Sequence, residues 1–264
     1  MNIGIDFDNT MVCYDAVFHA VAREHGWVDD AVPARKDAVR NHLRIAGRED
    51  SWIGLQGQVY GRRIVEAPPF AGVLDFLRAC RQAQATVCII SHKTRYPFRG
   101  EQHDLHHAAL GWLAHHGLFN DASIGLSPRD VYLELTKEAK LARIAAAGCE
   151  VFIDDLPEFL GEAAFPAGVR RVLFDPNGQH VKETRFERLT AWNEAMALFD
   201  PLSLRGLRER DGVKAPANEP RQEKHQDPRP IVLDNILTQA GHTSPHPSPL
   251  PKTPEGEGVR RKAG

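Results

Sequence analysis

The sequence predicts an α/β fold: a doubly wound parallel sheet, with a small helical cap inserted after the first strand and a disordered C-terminal tail. Three observations predict it. Short, almost wholly apolar runs at residues 2–7, 86–91 and 150–153 read as strands covered on both faces. Segments of helical periodicity separate them, the alternation that a parallel sheet with crossover helices requires. The stretches that break this alternation are confined to two blocks, residues 13–66 and residues 201–264.

Each element follows from its own residues. The first strand, 2–7, ends on Asp6-Phe7-Asp8. Residues 14–25, 34–46 and 53–63 read as the helices of the inserted block, and Pro68-Pro69 marks the return to the core. A helix at 73–82 leads into the strand 86–91, followed by a helix at 105–116. A strand at 131–135 precedes a helix at 137–147, with Thr136 as its N-cap and Gly148 as its stop. After the strand 150–153 come a short helix near 157–164, a strand at 170–174 and a closing helix at 183–198. The expected domains are therefore a core of 1–12 and 67–200, a cap of 13–66 and a tail of 201–264. An insertion after the first strand lies above the carboxyl edge of the sheet, where open α/β folds bind ligands.

The tail carries no Phe, Tyr or Trp beyond Phe199, and nine of the 18 prolines fall in residues 205–264. Such a composition cannot bury enough apolar surface to offset its ordering entropy.

Composition narrows the function classes. At 264 residues the chain is long enough for a substantial core. A formal net charge of −2 leaves no electrostatic footprint for nucleic acid or a membrane surface, so neither is an expected partner. There is no run of about 18 apolar residues that would span a bilayer. The apolar N-terminal segment reads as a core strand and not as a leader. Cys13, Cys80, Cys88 and Cys149 lack metal-ligand spacing and are expected to be inert thiols in a reducing cytoplasm. His103, His106, His107, His115 and His116 have no cysteine or acidic partners at ligand spacing and read as a polar helix face.

The chemistry concentrates in two acidic pairs. Side chains i and i+2 share a face of an extended chain, so Asp6 and Asp8 can point into one small volume. Carboxylates that close repel unless a cation or a shared proton compensates them. Asp154-Asp155 closes another apolar strand in the same way. Together the pairs suggest a magnesium site and a phosphate substrate. Phosphoryl transfer needs an in-line nucleophile, a cation and donors for the remaining oxygens. Asp6 suits the nucleophile, forming an aspartyl-phosphate, and Asp8 suits the acid that protonates the leaving oxygen and then the base for water. Ser91, just past an apolar strand, can hold a phosphate oxygen.

The ordered series Asp6-Phe7-Asp8-Asn9-Thr10, Ile90-Ser91-His92-Lys93, Lys137 or Lys140, and Phe152-Ile153-Asp154-Asp155 resembles the haloacid dehalogenase-like (HAD) superfamily, phosphatase branch. The resemblance covers residues 1–175 and implies a Rossmann-like core. It implies Mg2+ held by the Asp6 carboxylate, the Asp8 backbone carbonyl, Asp154 and Asp155. It favours Lys140 over Lys137 as the catalytic lysine, leaving Thr10, Ser91, His92, Lys93 and Lys137 around the substrate. Asn9 stands where many members carry glycine, and both residues reach unusual backbone conformations. Asp8 argues against a dehalogenase, which has no leaving group to protonate. The expected activity is hydrolysis of a small phosphorylated metabolite, a sugar phosphate or nucleotide, by a monomer or homodimer. The alternatives are a phosphomutase and a catalytically silent binding or regulatory module of the same fold. Specificity is expected from Trp52, Gln56, Tyr60, Arg62 and Arg63 of the cap and from the loop at 94–99.

Overall fold

The computed structural model describes residues 1–199. The expected tail, and Asp200 of the expected core, lie outside the described residues. Six strands form one parallel sheet: β1 (Asn2–Ile5), β2 (Thr86–His92), β3 (Val131–Glu134), β4 (Val151–Asp154), β5 (Arg170–Phe174) and β6 (Glu187–Leu189), in the order β3-β2-β1-β4-β5-β6. This is the doubly wound order, in which the winding reverses between β1 and β4. The Rossmann-like α/β architecture expected from the sequence is the one found.

The helices are α1 (Asp15–Glu24), α2 (Lys36–Ile45), α3 (Glu49–Tyr60), α4 (Val73–Gln82), α5 (Leu105–His115), α6 (Lys137–Ala146) and a single turn, α7 (Pro157–Leu160). α1, α2 and α3 lie between β1 and α4 in the chain and pack on one another. Their buried residues Phe18, Val39, Leu43 and Leu55 belong to the same apolar cluster as Ile3, Ile5 and Val73 of the sheet and α4. A smaller cluster around Phe152, Phe159 and Phe165 fills the other face. Close packing is visible at Gly4, where a Cβ would stand 2.5 Å from the Phe152 ring, so no larger residue fits there without displacing it.

One expected element differs. The closing helix at 183–198 is instead β6 followed by a 3-10 helix, Trp192–Phe199. Edge pairing wins over local helical pattern here: β6 adds to β5 in register, with Phe174 opposite Leu189, and Arg170 ion-pairs with Glu187 across the strands. Thr190 then restarts the chain, its N–H and hydroxyl both donating to Glu194. Elsewhere local signals hold. Thr136 accepts the Ala139 N–H at 3.1 Å, and Gly148 takes φ +59° beyond α6, where a side chain would be strained.

Candidate active site

The reversal of winding fixes the place of the site. In register, Ile5 lies opposite Ile153, and the Asp6 N–H donates to the Ile153 carbonyl at 2.9 Å. Asp6 and Asp154 are therefore delivered side by side at the carboxyl ends of two adjacent strands. β2 flanks β1 on its other side and delivers Ser91, whose hydroxyl donates to Asp6 Oδ1 at 2.9 Å. Asp6, Ser91 and Asp154 are all buried.

Lys140 completes this cluster from the second turn of α6. Its buried ammonium donates to Asp6 Oδ1 at 2.7 Å and Asp154 Oδ2 at 2.6 Å, and lies 4.0 Å from the centre of the Phe159 ring. The remaining Asp154 oxygen accepts the Leu156 N–H. Burial tends to strip Lys140 of its proton, but the Asp154 and Asp6 carboxylates outweigh it and hold the group cationic. Asp155 turns into the same volume; its nearest donor is the Thr10 hydroxyl at 3.4 Å.

Carboxylate oxygens of Asp6, Asp154 and Asp155 all lie within 4.8 Å of one another. Three carboxylates against one ammonium leave two negative charges, the complement of a divalent cation. Burial and mutual repulsion raise the proton affinity of these carboxyls. Burial pushes Asp6 up from 3.8 to about 7, opposed by Lys140 and reinforced by Asp154. Asp155 is driven well above its usual value by burial, then by Asp154 and Asp6. An all-oxygen donor set of this kind fits Mg2+, which takes hard carboxylate ligands and keeps several waters.

Asp8 belongs to a second, adjoining pair. Lys93, buried beneath the cap, donates to both Asp8 oxygens at 2.9 and 2.8 Å, and the Tyr14 hydroxyl donates to Asp8 Oδ1 at 2.6 Å. The Lys93 ammonium sits 4.9 Å from the Tyr60 ring centre, so the end of α3 helps to enclose it. Asn9 adopts φ +60°, the left-handed conformation that asparagine tolerates better than most residues.

The structure thus brings together Asp6, Ser91, Lys140, Asp154 and Asp155, with Asp8, Thr10 and Lys93 alongside. It does not bring His92 or Lys137 to them. His92 is exposed, with its ring nitrogen on the Leu135 carbonyl, and Lys137 is exposed and paired with Glu162. Of the cap and loop residues read for specificity, Trp52 is buried against Phe18, Arg63 pairs with Glu24 and Glu66, and Arg95 pairs with Asp104. Tyr60 of that set lies at the site, beside Lys93.

Sequence reading missed three residues. Tyr14 fixes Asp8. Lys36 of α2 donates to Asn9 Oδ1 at 3.0 Å. Trp192 donates from Nε1 to the Thr10 carbonyl at 3.1 Å, pinning the loop after β1 from 182 positions away. Only Tyr14 carried a usable signal, an aromatic residue close to an acidic pair.

No protein-family model and no curated protein matches the chain. Solved structures do resemble it. A HAD-family hydrolase from Deinococcus radiodurans R1, with bound phosphate and sodium, is 19% identical, with a TM-score of 0.48 over 78% of this chain and 96% of that one. A HAD phosphatase from Thermococcus onnurineus is 15% identical, with a TM-score of 0.42 over 75% and 97%. A dehalogenase is 14% identical, with a TM-score of 0.45 over 75% and 96%. No helix among the described residues is long and apolar enough to cross a membrane.

Proposed function

We propose that this chain is a HAD-like, Mg2+-dependent phosphomonoester hydrolase that works through an aspartyl-phosphate on Asp6. The observation that carries the reading is the convergence of Asp6, Asp154 and Asp155 at the strand tips, with Lys140 bridging two of them. Asp6, Asp154, Asp155 and the Asp8 carbonyl would hold the ion, which when bound offsets the charge of the nucleophile and the phosphate.

The protein's own groups account for the rest. Asp6 attacks phosphorus through one carboxylate oxygen, forming the acyl-phosphate as the bond to the leaving oxygen breaks. Ser91 and Lys140, both on Asp6 Oδ1, fix that carboxylate so that its other oxygen is the one free to attack. Asp8 gives a proton to the leaving oxygen and takes one from the water that hydrolyses the intermediate. Tyr14 and Lys93 hold Asp8 in one orientation. A protonated Asp8 offers this fork one acceptor fewer, so proton donation goes with release of Asp8 by one of these partners. The substrate in this reading is a small phosphomonoester, with Lys93 and Thr10, which adjoin Asp8 and Asp155, nearest to its phosphate.

The test is hydrolysis of p-nitrophenyl phosphate with Mg2+ and with EDTA, in the wild type and Asp6→Asn. The reading expects turnover only with metal and only with Asp6, the loss in Asp6→Asn reaching several orders of magnitude. Comparable turnover by Asp6→Asn would overturn the covalent route.

A further inference from the structure

A cavity of about 210 Å³ opens beside Asp155 and runs beneath the cap, with Asn9, Lys36, Arg40, Asn177 and His180 in its wall. Its volume is below the roughly 300–1,000 Å³ of drug-sized ligand sites, so it admits a small molecule. Lys36 and Arg40 are one turn apart on α2 and leave the helix on the same face.

Neither cation forms a close ion pair among the described residues, although Asp155 and Asp8 act on Lys36, and Glu49 on Arg40, at longer range. Lys36 Nζ bonds Asn9 Oδ1 at 3.0 Å and rests 5.5 and 5.7 Å from the Tyr60 and Phe18 ring centres. Arg40 Nε bonds only Asn41. Five carboxylates share the wall; Asp155 belongs to the acidic cluster, Glu158 has no ion pair among the described residues, and the other three are engaged elsewhere. Asp15 accepts the Lys36 backbone N–H and the Asn177 amide, Asp37 pairs with Arg35, and Asp175 accepts the Gln179 and His180 N–H groups and pairs with Arg188. A charge taken from water is ordinarily paired at close range, and the carboxylates acting on part-buried Lys36 form no ion pair with it. Here it stands over a cavity that Asp155 of the carboxylate cluster also lines.

We infer that Lys36 and Arg40 bind a second anionic group of the substrate, so that the chain selects short phosphomonoesters carrying a carboxylate or a second phosphate over uncharged ones. The inference rests on the phosphohydrolase reading for the position of the first phosphate. It adds a chemical class and two residues, both supplied by the cap.

The test compares kcat/KM of the full chain for phosphoglycolate, ethylene bisphosphate and ethyl phosphate, in the wild type, Lys36→Met and Arg40→Met. At least one anionic probe should exceed ethyl phosphate by about tenfold or more in the wild type, the scale of one charge-assisted hydrogen bond. That ratio should fall at least about fivefold in each variant. The two anionic probes separate a carboxylate site from a phosphate site. A merely structural role lowers all three rates together and leaves the ratio unchanged. A ratio near one in the wild type, or one unchanged in both variants, overturns the inference. Absence of turnover for all three counts against the phosphohydrolase reading instead, and calorimetric titration of the same probes then decides the subsite. Tighter binding of an anionic probe than of ethyl phosphate, lost in Lys36→Met, upholds it; equal binding overturns it.

Discussion

Removing the charge of Asp6 should stabilise the metal-free protein, although the residue is buried at the centre of the site. The carboxyl is pushed by burial from 3.8 to about 7, in spite of Lys140. The sign follows from linkage. The unfolded chain gives up this proton near 3.8, while the folded one keeps it to about 7. Each pH increment between those values therefore favours unfolding, and the contribution of Asp6 is full below about 4 and lost by about 7. The displacement corresponds to about 4 kcal/mol as an upper bound. Asp6→Asn keeps an acceptor for Ser91 and Lys140 but cannot ionise, so it escapes this loss. In EDTA the melting temperature of Asp6→Asn should rise relative to wild type between pH 4.5 and 8. At 2–4 °C per kcal/mol for a domain of this size, that bound caps the relative gain at roughly 8–16 °C. Saturating Mg2+ should shrink the difference, because only the aspartate gains a ligand charge for the ion. A difference independent of pH, or of the same size with Mg2+, would refute the reasoning.

Two further perturbations test the supports of the site. Lys140→Met leaves Asp6 and Asp154 facing each other without their ammonium, and breaking a buried pair from one side costs about 3–5 kcal/mol. Thermal melting in EDTA should show that loss at pH 8 and less of it at pH 5, whereas Lys137→Met, which removes an exposed partner of Glu162, should leave the melting temperature nearly unchanged. Trp192→Phe keeps the ring among Phe76 and Phe174 but deprives the Thr10 carbonyl of its donor, a cost of about 1–3 kcal/mol. Denaturant unfolding should register it, together with a lower kcat for aryl phosphate; full activity would show that the loop after β1 needs no anchor.

How much of this was legible depends on the range of the interactions. β1, β2 and β4 are read directly because buried parallel strands are continuous apolar runs, and the acidic pairs follow them. Asp6, Ser91 and Asp154 were legible for that reason. Lys140 and Lys137 were harder to separate: a three-residue step on a helix leaves both on much the same side. The difference in the fold is that Lys140 lies one turn deeper, over Phe159, while Lys137 reaches Glu162 at the surface. His92 was misplaced because the strand continues through it, turning its side chain away from the face that Ser91 presents. Lys36 and Trp192 were invisible, since their bonds to Asn9 and Thr10 span 27 and 182 positions and no local pattern encodes them. The terminal segment was misread as helix because its pairing partner, β5, is what makes it a strand.

The central claim is that one divalent cation sits among Asp6, Asp154 and Asp155. A crystal soaked in Mn2+, read by its anomalous signal, tests it most directly. The account predicts a single strong peak about 2–2.3 Å from carboxylate oxygens of Asp6 and Asp154, with Asp155 bound directly or through water. A peak elsewhere, or ordered Asp6 and Asp154 with no ion between them at saturating Mn2+, would contradict it.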